Sequence, residues 1–268
     1  MTSDAVRRYG LRTLALVYLA VLLLVPVGLV FWRTFEPGIG AVYDSVTTPA
    51  AIHAFWLTVE VAAIAVPLNA VFGVITAIAL VRGRVPGRRV VDALLDLPFA
   101  VSPVVIGLSM LLLYGRDGWL GPWRTDHGVQ IIFSVPGIVL ATIFVSLPFV
   151  AREVAPVLRE LGDEQEQAAA TLGANSRQTF WRVTLPAIRW GMAYGVVLAT
   201  ARAIGEFGAV SVVSGKISGE TETLTLLVEK RFTNFDLAGA YAASALLAVI
   251  ALATLVAMTM LSSRKSER

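Results

Sequence analysis

Six long apolar runs, separated by shorter polar segments, constrain this chain more than any other feature. The hydrocarbon core of a bilayer is about 30 Å thick and is crossed by roughly 20 apolar residues of helix. Lipid admits only helices and closed barrels, and these runs are too long and too evenly apolar for barrel strands. They predict an all-α membrane protein. Its six transmembrane helices are expected at Leu14–Phe31, Val61–Val81, Leu97–Tyr114, Ile131–Ala151, Met192–Val213 and Leu237–Met260.

The first run follows three arginines, as the core of a secretory signal peptide would. Its apolar stretch is longer than a typical signal core, and the residues after it, FWRTFEPG, offer no small-residue cleavage site. We therefore expect this helix to be retained. The whole chain, 1–268, is then a single transmembrane domain that contains one long polar loop, 152–191.

Basic residues are distributed unequally between the loops. Fifteen of the 22 Lys and Arg residues lie at the two termini and in the second and fourth loops, six lie in the other three loops, and Arg202 lies within a span. Cytoplasmic loops of membrane proteins carry the excess of Lys and Arg. The count predicts that both termini and loop 152–191 are cytoplasmic. It also accounts for the net charge of +3 without a nucleic-acid partner.

Several kinds of chemistry lack their residues in this sequence. There is no cysteine and there are only two histidines, so neither a disulfide framework nor a Cys or His metal centre is expected. The pair Gly215-Lys216 does not complete a phosphate-binding loop, which needs G-x-x-x-x-G-K-[ST]. We also find no catalytic carboxylate pair or Ser-His-Asp set. The chain is therefore not expected to be an enzyme.

Loop 152–191 carries the signals of two short helices. Asp163 and Glu166 have the spacing of a capping box, and the alanines that follow favour helix. Gly173 suits the left-handed residue that ends a helix. Either Asn175 or Ser176 can cap the second helix.

The second helix places aromatic side chains at the surface of the loop. It carries Phe180, Trp181 and Val183, and Pro186 is expected to block its continuation. A rigid helix–turn–helix of this kind could fit a groove in a soluble partner. An ordinary solvated loop, or an amphipathic helix lying on lipid, fits the same residues.

The stretch QAAATLGANSRQTFWRVTLP resembles the loop motif of ATP-binding-cassette importer permeases. That motif reads Glu-Ala-Ala, three residues, Gly, nine residues, Ile, one residue, Leu-Pro. In this chain Ala168, Ala169, Gly173, Leu185 and Pro186 occupy the matching positions at the same spacing. The resemblance implies that the loop is a coupling helix that docks on an ATPase subunit.

Two positions depart from that motif. Val183 replaces Ile conservatively, whereas Gln167 replaces Glu and loses its charge; the adjacent Glu166 offers a carboxylate in compensation. The resemblance assigns contact with the ATPase to Glu166, Gln167, Ala168, Ala169, Gly173, Phe180, Val183, Leu185 and Pro186.

A second resemblance concerns the substrate branch. ARAIGEFGAVSVVSGKISGETETLTLLVE, around the fifth span, resembles the sulfate and thiosulfate permeases of the CysW type. LPFAVSPVVIGLSML, in the third span, resembles the same oxyanion branch. The implied fold is the six-helix, MetI-like architecture of type I importers. Molybdate and tungstate permeases resemble the chain less closely and are the alternative branch.

The resemblance also implies an assembly. This chain would form half of the transmembrane pathway beside a second permease, as a heterodimer, in contact with membrane lipid. A dimer of ATP-binding subunits would use the ATP, an extracytoplasmic sulfate-binding protein would deliver the substrate, and this chain would bind no cofactor itself. An autonomous channel or ion-coupled anion carrier, and a non-transporting scaffold, are the other classes compatible with the spans.

Two charges lie inside the fifth predicted span. Arg202 and Glu206 are spaced i, i+4, so they share a helix face and can form an ion pair. Two interpretations fit this pair: it only holds the helices together, or its face lines the translocation path or its gate. Asn69 and Ser102 likewise suit either helix packing or the path, with packing favoured. The loop 214–236 is the best candidate for contact with a binding protein.

Overall fold

The structure is a computed structural model that describes residues 2–83, 86–122 and 127–266. These residues form helices joined by turns and loops, with no strand among them, which confirms the all-α prediction. The helices are α1 Thr2–Phe35, α2 Ile39–Val46, α3 Pro49–Arg82, α4 Arg88–Ala100, α5 Pro103–Tyr114, α6 Val135–Leu161, α7 Glu164–Thr171, α8 Ser176–Thr179, α9 Leu185–Ile204, α10 Gly208–Val213, α11 Leu224–Thr233 and α12 Leu237–Ser266, with a π-helical turn at Phe180–Thr184 between α8 and α9.

The starts of the long helices follow from local chemistry. Thr48 caps α3, because its hydroxyl accepts a hydrogen bond from the backbone N–H of Ala51 at 3.2 Å, and Pro49 occupies the first turn. A proline is tolerated there because the first N–H groups of a helix have no partner within it. Prolines open α5 and α6 in the same way.

Helix α6 lies at the centre of the core, packed against α3 and α9. Gly73 of α3 and Gly195 of α9 both face Val150 of α6. A Cβ added to Gly73 would lie 2.7 Å from the Val150 Cβ, and one added to Gly195 would lie 2.8 Å from its Cα. Small residues therefore let the three backbones approach closely, as is common between membrane helices.

A polar contact crosses the same core. Asn69 of α3 is fully buried and donates a hydrogen bond to the Ser146 hydroxyl of α6 at 2.8 Å. This contact agrees with the packing interpretation of Asn69.

The six predicted spans are not all continuous helices. Four helices are long and apolar enough to cross a bilayer: Gly10–Phe35, Pro49–Arg82, Val135–Leu161 and Leu237–Thr254. The third predicted span is instead a bent pair, α4 and α5, whose axes differ by 111°. The break falls before Pro103, whose ring disfavours helix at the preceding residue and removes a backbone donor.

The fifth predicted span is also broken. Helix α9 ends at Ile204, three residues follow outside helix, and α10 begins at Gly208. Arg202 and the buried carboxylate of Glu206 lie at this break, where the chain leaves helical geometry. The prediction of six uninterrupted spans is therefore wrong at two places, and both breaks place irregular backbone beside other helices.

Helix α1 is the most weakly packed long helix. None of the residues in its most apolar 18-residue window is buried. Its contact with the rest of the fold includes a hydrogen bond from the Thr34 hydroxyl to the Tyr241 carbonyl of α12 at 3.0 Å. The apolar surface of α1 is thus free to face lipid or another chain.

Candidate functional site

The polar segment between α6 and α9 is shorter than the predicted loop 152–191. Helix α6 continues to Leu161 and α9 begins at Leu185, so the segment that remains is Gly162–Thr184, called here the helical loop. It contains α7, α8 and the π-helical turn. The predicted pair of short helices separated by a tight turn is confirmed.

The predicted capping box at Asp163 and Glu166 is wrong. Asp163 is the N-cap residue of α7 but makes no side-chain cap bond; its carboxylate accepts a hydrogen bond from Gln167 Nε2 at 2.8 Å. Glu166 turns the other way, toward Arg82 of α3 at 3.1 Å. An ion pair with a distant residue has replaced the local bond, since a charged partner is the stronger one for a carboxylate.

The turn between α7 and α8 follows the sequence signals closely. Gly173 has a φ of 86°, the left-handed conformation predicted for it. The N–H of Ala174 donates to the Ala169 carbonyl at 3.0 Å, which closes α7 as a helix C-cap. A complete capping box then opens α8, with Asn175 accepting from the Gln178 N–H at 2.9 Å and Gln178 accepting from the Asn175 N–H at 3.0 Å.

The π-helical turn carries the two aromatic side chains of the helical loop, whose rings meet edge to face with centroids 5.4 Å apart. Phe180 packs against the core formed by α3, α6 and α9, whereas Trp181 remains 59% exposed. Leu185 also packs against that core, and Pro186 is exposed in the first turn of α9. Pro186 does not stop the helix as predicted: Thr184 and Leu185 keep helical dihedral angles, and α9 continues directly from the π-helical turn.

An open groove runs along the outer side of the helical loop. It encloses about 650 Å³ and is lined by Gln165, Ala168, Ala169, Leu172, Arg182, Val183, Pro186, Ala187 and Arg189. Leu172 stands at its edge with 88% of its surface exposed. Four of the nine residues assigned to ATPase contact line this groove, namely Ala168, Ala169, Val183 and Pro186. Its small and apolar side chains with a basic edge suit a protein partner. Glu166 and Phe180 face the core instead.

The ion pair predicted between Arg202 and Glu206 is present. Arg202 Nη2 lies 2.6 Å from Glu206 Oε2, with 30% of the arginine side chain and 1% of the glutamate side chain exposed. The other Glu206 oxygen accepts a hydrogen bond from the Ala209 N–H at 2.8 Å, so the carboxylate also caps α10. Thr225 of α11 donates to the Glu206 carbonyl at 2.8 Å.

The two helix breaks lie against each other. A Cβ added to Gly208 of α10 would lie 2.9 Å from the Pro103 Cβ of α5, and one added to Gly107 would lie 2.8 Å from the Ala209 carbonyl. Arg202 and Glu206 therefore lie beside a junction of discontinuous helices. The partly exposed guanidinium, neutralised on one side, could contact an anion without holding it as tightly as an unpaired cation would.

The structure adds charged contacts that the sequence did not reveal. Arg152 of α6 lies 3.0 Å from Asp92 and 2.6 Å from Asp96, both of α4. Arg82 was not singled out either. Each arginine comes directly after an uncharged run of the sequence. That position indicates where a helix ends, but it does not indicate which carboxylate the arginine pairs with. Within the described residues, no group of three or more His, Cys, Asp and Glu side chains could hold a metal ion.

Comparison with known proteins agrees with this architecture. The family model described as "Binding-protein-dependent transport system inner membrane component" matches residues 69–267. The sulfate transport system permease protein CysW of Synechocystis sp. is 52% identical over 257 residues, which cover 96% of this chain and 93% of the relative. CysW of Escherichia coli K12 is 51% identical over 245 residues, 91% of this chain and 84% of the relative.

A second group of relatives carries another name. The sulfate transport system permease protein CysT of Synechococcus elongatus is 39% identical over 250 residues, 93% of this chain and 90% of the relative.

Among solved structures, a bacterial ABC transporter involved in the import of the acidic polysaccharide alginate superposes with a TM-score of 0.79. The match covers 97% of this chain and 98% of that one at 16% identity, which establishes a shared fold alone. Together with the family model and the CysW relatives, it shows that the chain belongs to the family of binding-protein-dependent transport system inner membrane components.

Proposed function

We propose that this chain is a permease subunit of an ATP-driven importer for sulfate or thiosulfate and forms half of the transmembrane pathway. The observation that carries the proposal is the identity of about half of the residues, over nearly the whole chain, to relatives named as CysW sulfate permeases. The groove beside the helical loop supports it, since an importer without its own phosphate-binding loop needs a surface for an ATPase.

The proposed topology has six crossings with both termini in the cytoplasm. Four crossings are the long helices, the α4–α5 pair is the third and α9 with α10 is the fifth. The helical loop is then cytoplasmic and the loop 214–236 is extracytoplasmic.

The proposed assembly has a second permease, as a heterodimer, two ATP-binding subunits below the helical loops, and a sulfate-binding protein outside. The CysT relatives support a second, related permease. A solved transporter of the same fold is in complex with a periplasmic protein, which supports the binding protein. ATP is used by the partner subunits, and this chain binds no cofactor.

In the proposed mechanism, ATP closes the ATPase pair and displaces the helical loop, and the helices packed on it reorient between outward and inward access. Arg202 and Glu206 lie along the path or its gate. The arginine contacts the passing dianion, and the glutamate keeps that contact weak enough for release.

Uptake of radiolabelled sulfate tests the substrate. The chain would be expressed together with an ATP-binding subunit, a second permease and a sulfate-binding protein in a bacterium that lacks its own sulfate permeases. Sulfate uptake that needs ATP and is inhibited by excess thiosulfate supports the proposal. Uptake of labelled molybdate or tungstate instead would assign the alternative branch, and anion movement by the chain alone, without ATP, would make it a channel or carrier.

Cysteine labelling tests the topology without background, because the chain has no cysteine of its own. Trp119 lies in the loop between α5 and α6, on the outer side in the proposed topology, and Leu172 lies in the helical loop. Their side chains are 90% and 88% exposed, so Trp119→Cys and Leu172→Cys are matched reporters of the two sides. An impermeant maleimide added to intact cells should label Trp119→Cys and should reach Leu172→Cys only after permeabilisation. The reverse pattern would overturn the proposed orientation.

A further inference from the structure

Arg82 links the end of α3 to the helical loop. It is the last residue of α3 and follows an apolar stretch without a charge. Its Nε lies 3.1 Å from Glu166 Oε2, and its Nη2 donates to the carbonyl of Gly162, where α6 ends and the helical loop begins. One side chain thus holds both the bend that opens the loop and the first helix within it.

The second oxygen of Glu166 is also engaged. Oε1 accepts a hydrogen bond at 2.8 Å from the hydroxyl of Thr184, a buried residue at the end of the π-helical turn. Glu166 therefore joins α3, through Arg82, to the point where the helical loop enters α9. Because both oxygens face inward, Glu166 does not supply an outward charge in place of the one missing at Gln167.

Both members of the Arg82–Glu166 pair are partly buried. The two side chains are 19% and 23% exposed, compared with 43% and 34% for Lys216 and Glu229. Leu158 and Ala187, from α6 and α9, enclose it together with Gly162. Exposed ion pairs contribute little to stability, whereas a partly buried pair with additional hydrogen bonds resists separation.

We infer that Arg82 is a positioning residue that fixes the helical loop to α3, so that a displacement of the loop moves α3 and the core packed on it. Without this link, the bend at Gly162, whose φ is 62°, would take up part of the displacement. The inference rests on the proposed function, in which the helical loop contacts an ATPase.

The test is the amount of sulfate transported per ATP hydrolysed by the purified complex in liposomes. Arg82→Gln and Glu166→Gln should retain the ATPase subunit and hydrolyse ATP, while sulfate transported per ATP falls about fivefold or more, a typical size for a coupling between sites. Arg82→Lys should lie between wild type and Arg82→Gln. The exchange Arg82→Glu with Glu166→Arg should recover part of the loss.

Two controls make the same chemical changes nearby. Arg159→Gln and Glu164→Gln alter exposed side chains at the end of α6 and the start of α7 and should leave the ratio unchanged. The inference is overturned if Arg82→Gln has the wild-type ratio. It is equally overturned if Arg82→Gln loses the ATPase subunit and the exchange recovers nothing, because Arg82 would then serve only folding. A wild type without ATP-dependent sulfate uptake would instead refute the proposed function and the inference together.

Discussion

The helical loop and the junction around Glu206 are built in opposite ways. The helical loop is exposed, and its shape follows from neighbours in sequence: a left-handed Gly173, a capping box from Asn175 to Gln178 and a proline in the first turn of α9. The junction is buried. Its carboxylate is paired locally, with Arg202 and the Ala209 N–H, but the elements packed around it, α5 and α11, come from elsewhere in the chain. The surface of the helical loop is thus shaped by neighbours in sequence, whereas the charged pair at the junction also needs distant helices to surround it.

The largest expected effect comes from removing the partner of the buried carboxylate. Arg202→Gln should destabilise the protein by about 3–5 kcal/mol, because it leaves Glu206 charged, buried and without its cation. Sulfate uptake should fall more than tenfold. Thermal unfolding in detergent and the uptake assay measure the two effects.

The double variant Arg202→Gln with Glu206→Gln separates stability from transport. It should recover much of the lost stability, since no uncompensated charge remains, but it should not recover uptake. If Arg202→Gln alone kept the uptake rate and selectivity of wild type, the role of this pair in the pathway would be refuted.

A smaller effect distinguishes the glycines of the two regions. Gly173→Ala should destabilise the helical loop by about 1–2 kcal/mol, because its φ of 86° is unfavourable for any residue with a Cβ. Gly205→Ala at the junction is the control, since its φ is −86° and an added Cβ would meet only the Ala201 carbonyl at 3.4 Å. The measurement is the binding of the ATPase subunit to each variant. Equal losses of binding in the two variants would show that the backbone conformation at Gly173 is unimportant.

The smallest expected effect concerns the start of α8. Asn175→Ala removes one bond of the capping box and should cost about 1 kcal/mol. Ser176→Ala, at an exposed neighbouring position, should cost less. Protease cleavage within the helical loop of the membrane-embedded protein measures this local opening, and indistinguishable cleavage rates would show that the cap does not hold α8.

Local and distant interactions also decide what the sequence could predict. Four of the six spans, the turn at Gly173 and the Arg202–Glu206 pair follow from hydropathy, propensity and i, i+4 spacing, and the structure has them. The partner of Glu166 could not be found in this way, because Arg82 lies 84 positions away and competes with a local cap of ordinary appearance. The break before Pro103 was also missed, since prolines such as Pro67 lie inside intact membrane helices of the same chain.

The most direct test of the account is cross-linking from the tip of the helical loop. Leu172→Cys, carrying a photoactivated cross-linker, would be irradiated in membranes that contain the co-expressed transport proteins, with the equally exposed Trp119→Cys as control. The account predicts an adduct between Leu172→Cys and an ATP-binding subunit, and none between Trp119→Cys and that subunit. An adduct between Trp119→Cys and the ATP-binding subunit would contradict the assignment of the helical loop as the ATPase contact. Adducts of Leu172→Cys with lipid alone would contradict it as well.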